Sequence, residues 1–122
     1  MTTVPTVVAA ITDVFFLAKV HDAIKAAGAE MKLARTADEA LAHARAGASL
    51  MLLDLNDRSF AALDLARAMR ADEQLSAVPV VGFLSHVQAD LKQQAVATGM
   101  NEVLARSIFS SSLPAVLGRY IG

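Results

Sequence analysis

The chain has no cysteine and no tryptophan among its 122 residues. Without cysteine there is no disulfide framework and no thiolate metal site, which is compatible with a reducing compartment. Charge is balanced: 11 basic against 12 acidic residues leave a formal charge of -1. The basic residues are scattered, so the chain lacks the clustered basic face that nucleic acid requires. Long hydrophobic runs are missing too, none approaching the roughly 20 residues that span a bilayer. The start, Met1-Thr2-Thr3-Val4-Pro5, lacks the basic patch and apolar core of a signal peptide. The expectation is a soluble, cytoplasmic protein that binds neither nucleic acid nor membrane.

Apolar residues, by contrast, are plentiful. They make up 55% of the chain, enough to fill the core of one domain spanning residues 1–122. The run Ser49-Leu50-Met51-Leu52-Leu53-Asp54 is unbroken and stops at a carboxylate. A strand apolar on both faces belongs in the middle of a parallel sheet covered by helices, and in such sheets ligands meet the carboxyl ends of the strands. Asp54 is therefore the first candidate for chemistry.

The rest of the chain alternates strands and helices. Residues 6–11 are β-branched and apolar, a first strand after Pro5. Asp13 is placed to cap a helix over 14–27, where Phe16, Leu17, Val20, Ala23 and Ile24 recur at helical spacing until Gly28. A short strand is expected at 31–34. Thr36 and Glu39 then form a capping-box pattern opening a helix that ends at Gly47. After the buried strand, Ser59 is the expected cap of a helix over 60–71. Residues 78–84 read as the fourth strand, 88–98 as a helix, 102–105 as a short fifth strand, and Ser112 with Pro114 as the opening of a last helix. Strands and helices joined by short loops imply a parallel sheet with right-handed crossovers. The chain closes with that fifth helix, so output is expected from the domain's own surface.

This order of elements, the length and the place of Asp54 resemble the receiver domain of bacterial response regulators, the CheY-like fold, over essentially the whole chain. The resemblance implies a doubly wound α/β domain with a five-stranded parallel sheet in the order 2-1-3-4-5 and helices on both faces. Asp54 stands where that family carries its phospho-accepting aspartate. Asn56 stands where the family offers a backbone carbonyl to magnesium. Ala77-Val78-Pro79-Val80-Val81 and Thr98-Gly99-Met100-Asn101-Glu102-Val103-Leu104 look like the family's approaches to its fourth and fifth strands.

Elsewhere the pattern departs. The paired acids of the family fall on Ile11 and Thr12, its hydroxyl residue on Leu84 and its lysine on Arg106, followed by Ser107 where proline is usual. Asp57-Arg58 replaces the usual apolar-proline pair. Phosphorylating an aspartate needs the carboxylate as nucleophile, a metal to offset the charge, and a cation and hydroxyl to hold the product. With Ile11 and Thr12 in place, no cofactor is expected and Mg2+ at most weakly held.

Asp54 then has two uses, phospho-acceptor or partner of Arg106, whose fork can grip a carboxylate or a phosphoryl group. Asp13 reads as an N-cap or a substitute metal ligand, Asp57 as a solvated loop acid or such a ligand. Ser85 reads as a helix cap or a displaced switch hydroxyl. His21, His43 and His86 show no ligand spacing and read as surface residues. The resemblance places partner contacts on the fourth helix, fifth strand and fifth helix, with Val87, Leu91, Val103, Leu113 and Tyr120 as candidates.

The reading is a stand-alone, atypical receiver that signals through protein contacts, with aspartyl phosphorylation impaired. Its partners would be a histidine kinase, a downstream signalling protein or a second copy of the chain. The alternative is a working phosphorelay receiver phosphorylated on Asp54. A flavodoxin or dinucleotide domain would need a small-residue phosphate loop where Thr12-Asp13-Val14-Phe15-Phe16 stands, and a cobalamin domain its Asp-x-His-x-x-Gly motif. Apart from Asp54, no nucleophile, base and orienting group line up for an independent enzyme.

Overall fold

Two periodic signals, apolar strands and amphipathic helices, set the architecture of the computed structural model, which describes residues 4–85 and 88–121. The order is β1 (Thr6–Ala10), α1 (Val14–Ala26), β2 (Glu30–Ala34), α2 (Ala37–Arg45), β3 (Leu50–Asp54), α3 (Ala62–Ala71), β4 (Val80–Leu84), α4 (Ala89–Ala97), β5 (Glu102–Ala105), α5 (Arg106–Ser111) and α6 (Leu113–Ile121). The strands form one parallel sheet in the order β2-β1-β3-β4-β5. This is the expected doubly wound α/β fold.

Successive side chains on a strand point to opposite faces, so the central strands feed two cores. Val7, Ala9, Leu50, Leu52, Val81 and Phe83 pack under α1, α5 and α6. Val8, Ala10, Met51, Leu53 and Val80 pack under α2, α3 and α4. All five residues of β3 are buried, as its unbroken apolar run requires.

Several boundaries differ for identifiable reasons. Ser59 does not cap a helix. Asp57 Oδ1 captures the Ser59 amide at 2.9 Å, a single 3-10 turn follows over Arg58–Phe60, and Phe60 is driven into the core. The chain then restarts through Ala61 at a left-handed φ of 44°, so α3 begins at Ala62 with no side-chain cap. The last helix opens at Leu113, beside the expected Ser112, and a further short helix, α5, precedes it; Pro114 has no N–H to continue the α5 ladder to the Ser110 carbonyl. At α2, Thr36 accepts from the Glu39 amide, but Glu39 reaches the amide of Arg35, one residue before the cap. His43, expected at the surface, is half-buried and hydrogen-bonded to the Leu33 carbonyl at 3.1 Å. His86 and Val87 lie outside the described residues.

Two of the expected partner contacts belong to the core. Val103 is buried under α4 and Leu113 against α1, because β5 and α6 each turn an apolar face to the sheet. Leu91 and Tyr120 keep part of their surface. Tyr120 donates its hydroxyl to Glu102, which Arg119 also grips through Nε and Nη2 at 3.1 and 2.8 Å.

The end of the sheet away from Asp54 is fastened by Arg70. Its guanidinium donates to the carbonyls of Gly99, Ser76 and Val78 and to Asn101 Oδ1, at 2.8 to 3.1 Å. Arg70→Met keeps the aliphatic stem and strips these bonds, so we expect a loss of about 1.5–3 kcal/mol. Urea unfolding checks it: the midpoint falls at unchanged slope. A loss within the scatter of surface substitutions would mean that water replaces the guanidinium there.

Candidate functional site

In a parallel sheet the carboxyl ends of the strands open at one edge, and this strand order puts the ends of β1, β3 and β4 side by side there. Asp54 closes β3 opposite Phe83 of β4 and is 4% exposed. A carboxylate so buried requires partners. Its Oδ2 accepts from Arg106 Nη2 at 3.2 Å, and its Oδ1 from the Asn56 amide at 3.0 Å.

Arg106 is shared. Its Nη1 donates to Asp13 Oδ2 at 3.2 Å, so one guanidinium bridges two carboxylates. Beneath it lie aromatic rings: the guanidinium carbon is 4.5 Å from the Phe16 centroid and 5.5 Å from that of Phe83. Phe83 stacks on Phe109 at 4.5 Å, and Phe16 leans on both. Cations sit well over ring faces, so this platform holds Arg106 in place.

Asp13 keeps the expected capping role as well, its Oδ1 accepting from the amides of Phe15 and Phe16, each at 3.1 Å. Asp57 is not a solvated loop acid. It is half-buried, and its Oδ2 accepts from the Thr12 amide at 3.2 Å and from the Thr12 hydroxyl. Ser85 does not cap a helix, since α4 opens at Gln88 with no side-chain cap. Its hydroxyl donates to Asn56 Oδ1 at 3.1 Å, beside its own amide at 2.6 Å, and Asn56 Nδ2 donates to Gln88 Oε1 at 2.7 Å.

Burial pushes the Asp54 carboxyl above its ordinary value, against the opposing pull of the Asn56 amide and Arg106, while Asp57 and Asp13 add to the rise. The Phe16 amide and then Arg106 hold Asp13 below the usual range. Burial works against the charge on Asp57, but the bonds from Thr12 and Ser59 bring it below the usual range.

Of the residues expected to line the site, Asp13, Asp54, Asn56 and Arg106 are joined directly or through one another, Thr12 and Asp57 form a neighbouring pair, and Ser85 joins through Asn56. Ile11 and Leu84 are instead core residues, on opposite faces of the sheet, because each is apolar and continues the inward alternation of its strand. Three participants were not foreseen: Phe16, Phe83 and Gln88. The spacing of Asp13 and Phe16 puts both on one side of α1 and could have signalled the first. Nothing in the sequence marks the other two. Among the described residues, the exposed apolar side chains beside this edge include Val14 and Phe15, which directly follow Asp13, and Ile108, two residues past Arg106, with Phe15 89% exposed.

No family model matches the chain, and no curated protein does. Solved structures match it almost end to end. A response regulator from Hahella chejuensis superposes with a TM-score of 0.86 at 17% identity, over 96% of this chain and 95% of that one. The phosphorylated cyanobacterial phytochrome response regulator RcpA gives 0.85 at 16%, over 98% and 96%. The chemotaxis response regulator CheY4 of Vibrio cholerae gives 0.82 at 23%, over 97% and 99%. At these identities the likeness is one of fold. Among the described residues, no helix is long and apolar enough to cross a membrane.

Proposed function

We propose that the chain is a receiver-type signalling domain that acts through contacts with a protein partner, and that Mg2+-dependent phosphorylation of its Asp54 is impaired. The observation that carries this reading is the Arg106 guanidinium bonded to Asp54 and Asp13 at once. It places a fixed cation on the Asp54 carboxylate, the group whose charge a metal ion would otherwise offset.

The donor set does not fit a magnesium ion. Asp54 Oδ2 already accepts from the cationic Arg106, Asp57 Oδ2 accepts from Thr12, and Ile11 is an alkyl side chain in the core. Among the described residues, no three acidic or histidine side chains gather as a metal site. Arginine stays charged throughout the working pH range, so it serves as a fixed internal cation that neither dissociates nor exchanges. With a charge offset built in, the reading favours a domain read by its surface: a histidine kinase, a downstream signalling protein or a second copy of the chain would recognise its shape.

The test is an amide NMR fingerprint of the wild type and Asp54→Asn, titrated first with Mg2+ and then with beryllofluoride as a phosphoryl mimic. The expected spectra are indifferent to both reagents. Saturable shifts around Asp54, absent from the variant and spreading to α4 and β5, would overturn the proposal in favour of a working phosphorelay receiver.

A further inference from the structure

We propose that the Asn56 side chain is a clasp that carries the state of the Asp54 carboxylate to the start of α4. Asn56 faces two ways. Its amide N–H donates to Asp54 Oδ1 at 3.0 Å, while its side chain reaches the loop after β4, accepting from the Ser85 amide and hydroxyl and donating to Gln88 Oε1. A carboxamide offers two donors and one acceptor oxygen with two lone pairs; three hydrogen bonds here engage the oxygen twice and one donor. A movement of Asn56 therefore moves or breaks contacts at residues 85 and 88 together.

The receiving end is lightly held. Of the nine residues of α4, Ala95 alone is buried, and the helix opens at Gln88 without a side-chain cap, the Gln88 amide oxygen accepting from Asn56 instead. Leu91 adds a half-buried contact to the core. A helix with so few buried anchors sits at the low-stability end of the fold, where local opening is easiest. Leu84, the last residue of β4, is an alkyl side chain in the core and makes no polar link to Asp54. Among the described residues, the side-chain hydrogen bonds between the Asp54 loop and the β4–α4 loop all pass through Asn56.

The coupling follows from the shared carboxylate. A full negative charge on Asp54 strengthens the bond from the Asn56 amide, and a neutral group weakens it, since charge-assisted hydrogen bonds are roughly twice as strong as neutral ones. The receiver reading supplies only the use to which the coupling is put. Indifference to Mg2+ and beryllofluoride leaves the clasp intact, and loss of the clasp leaves that reading intact.

Asn56 is a positioning residue, so the test is a cycle of variants followed by amide shifts and hydrogen exchange. The Lys92 backbone amide donates to the Gln88 carbonyl at 2.9 Å, the first turn of α4, and reports on its opening. In Asn56→Ala, exchange of the amides from Lys92 to Ala95 should quicken about fivefold or more while β1 and β3 keep their protection. Asp54→Asn should shift Ser85 and the α4 amides in the wild-type background and leave α4 unmoved in the Asn56→Ala background. Unchanged α4 exchange in Asn56→Ala, or an Asp54→Asn response that reaches α4 without the Asn56 side chain, would overturn the proposal. Gln88→Ala, at an exposed position, cuts only the helix end of the clasp and covers the case in which Asn56→Ala does not fold. There Ser85 should still answer Asp54→Asn and α4 should not, and a persisting α4 response counts against the clasp.

Discussion

Arg106→Met lowers stability by about 2–3 kcal/mol at neutral pH, because it leaves the Asp54 carboxylate buried without its cation. Breaking a fully buried pair costs about 3–5 kcal/mol; the Arg106 side chain is 32% exposed, so water softens the loss. Methionine keeps apolar contact over Phe16, which confines the change to charge and hydrogen bonding. The loss depends on pH with a definite sign. A carboxyl raised in the folded state binds more protons there than in the unfolded chain, so its ionisation lowers stability as pH climbs from the unfolded value through the folded one. Without Arg106 the Asp54 carboxyl is raised further, and the deficit opens across that window and is full above it.

Asp13 acts in the same direction. Its carboxyl is lowered, first by the Phe16 amide and then by Arg106, and that stabilisation is present above the unfolded value and lost as pH falls through the folded one. Wild type and variant therefore converge in acid. Urea unfolding from neutral to acid pH measures the gap, and Arg106→Met in an Asp54→Asn background separates its sources. There the deficit should shrink by more than half. An equal deficit in both backgrounds would assign the effect to packing on the aromatic rings.

Phe83→Ala has the largest expected effect, about 3–5 kcal/mol and more than about 10 °C in the thermal midpoint. Phe83 is fully buried in β4, stacked on Phe109 at an interplanar angle of 11° and in contact with Phe16 at 5.1 Å between centroids. Truncation removes the ring and leaves a cavity between α1 and α5, and each lost aromatic pair adds roughly 0.5–1.5 kcal/mol beyond buried area. The platform under Arg106 also loses one of its two rings. Phe83→Leu should cost less than half as much, since leucine refills most of the volume. Calorimetry decides: equal losses for the two variants would place the stabilisation in ring stacking, and a small loss for alanine would show that the core collapses around the gap.

The fold was legible where one physical signal dominated. β3 is apolar on both faces, so burial on both sides follows. α1 carries an aspartate before its first apolar turn, and Asp13 caps it through two amides. The strand order was legible only through resemblance, because parallel pairing leaves no local mark on sequence. The turn at Ala61 was hidden by competition: Ser59 looks like a cap until Asp57 takes its amide. The site was half legible. Asp54 and Arg106 could be named as partners by charge and position, and they lie 3.2 Å apart. Asp57 could not be tied to Thr12, 45 residues away, since that bond depends on how two loops meet. Phe83 and Gln88 enter for the same reason, through strand register and loop approach.

The joint between α6 and β5 has an optical consequence. With no tryptophan and a single tyrosine, the chain draws its tyrosine absorbance and emission from one phenol, and that phenol is tied to Glu102. The tyrosine band of the unlabelled protein therefore reports on one contact, and a partner that pries the last helix from the fifth strand would be seen in it without any dye.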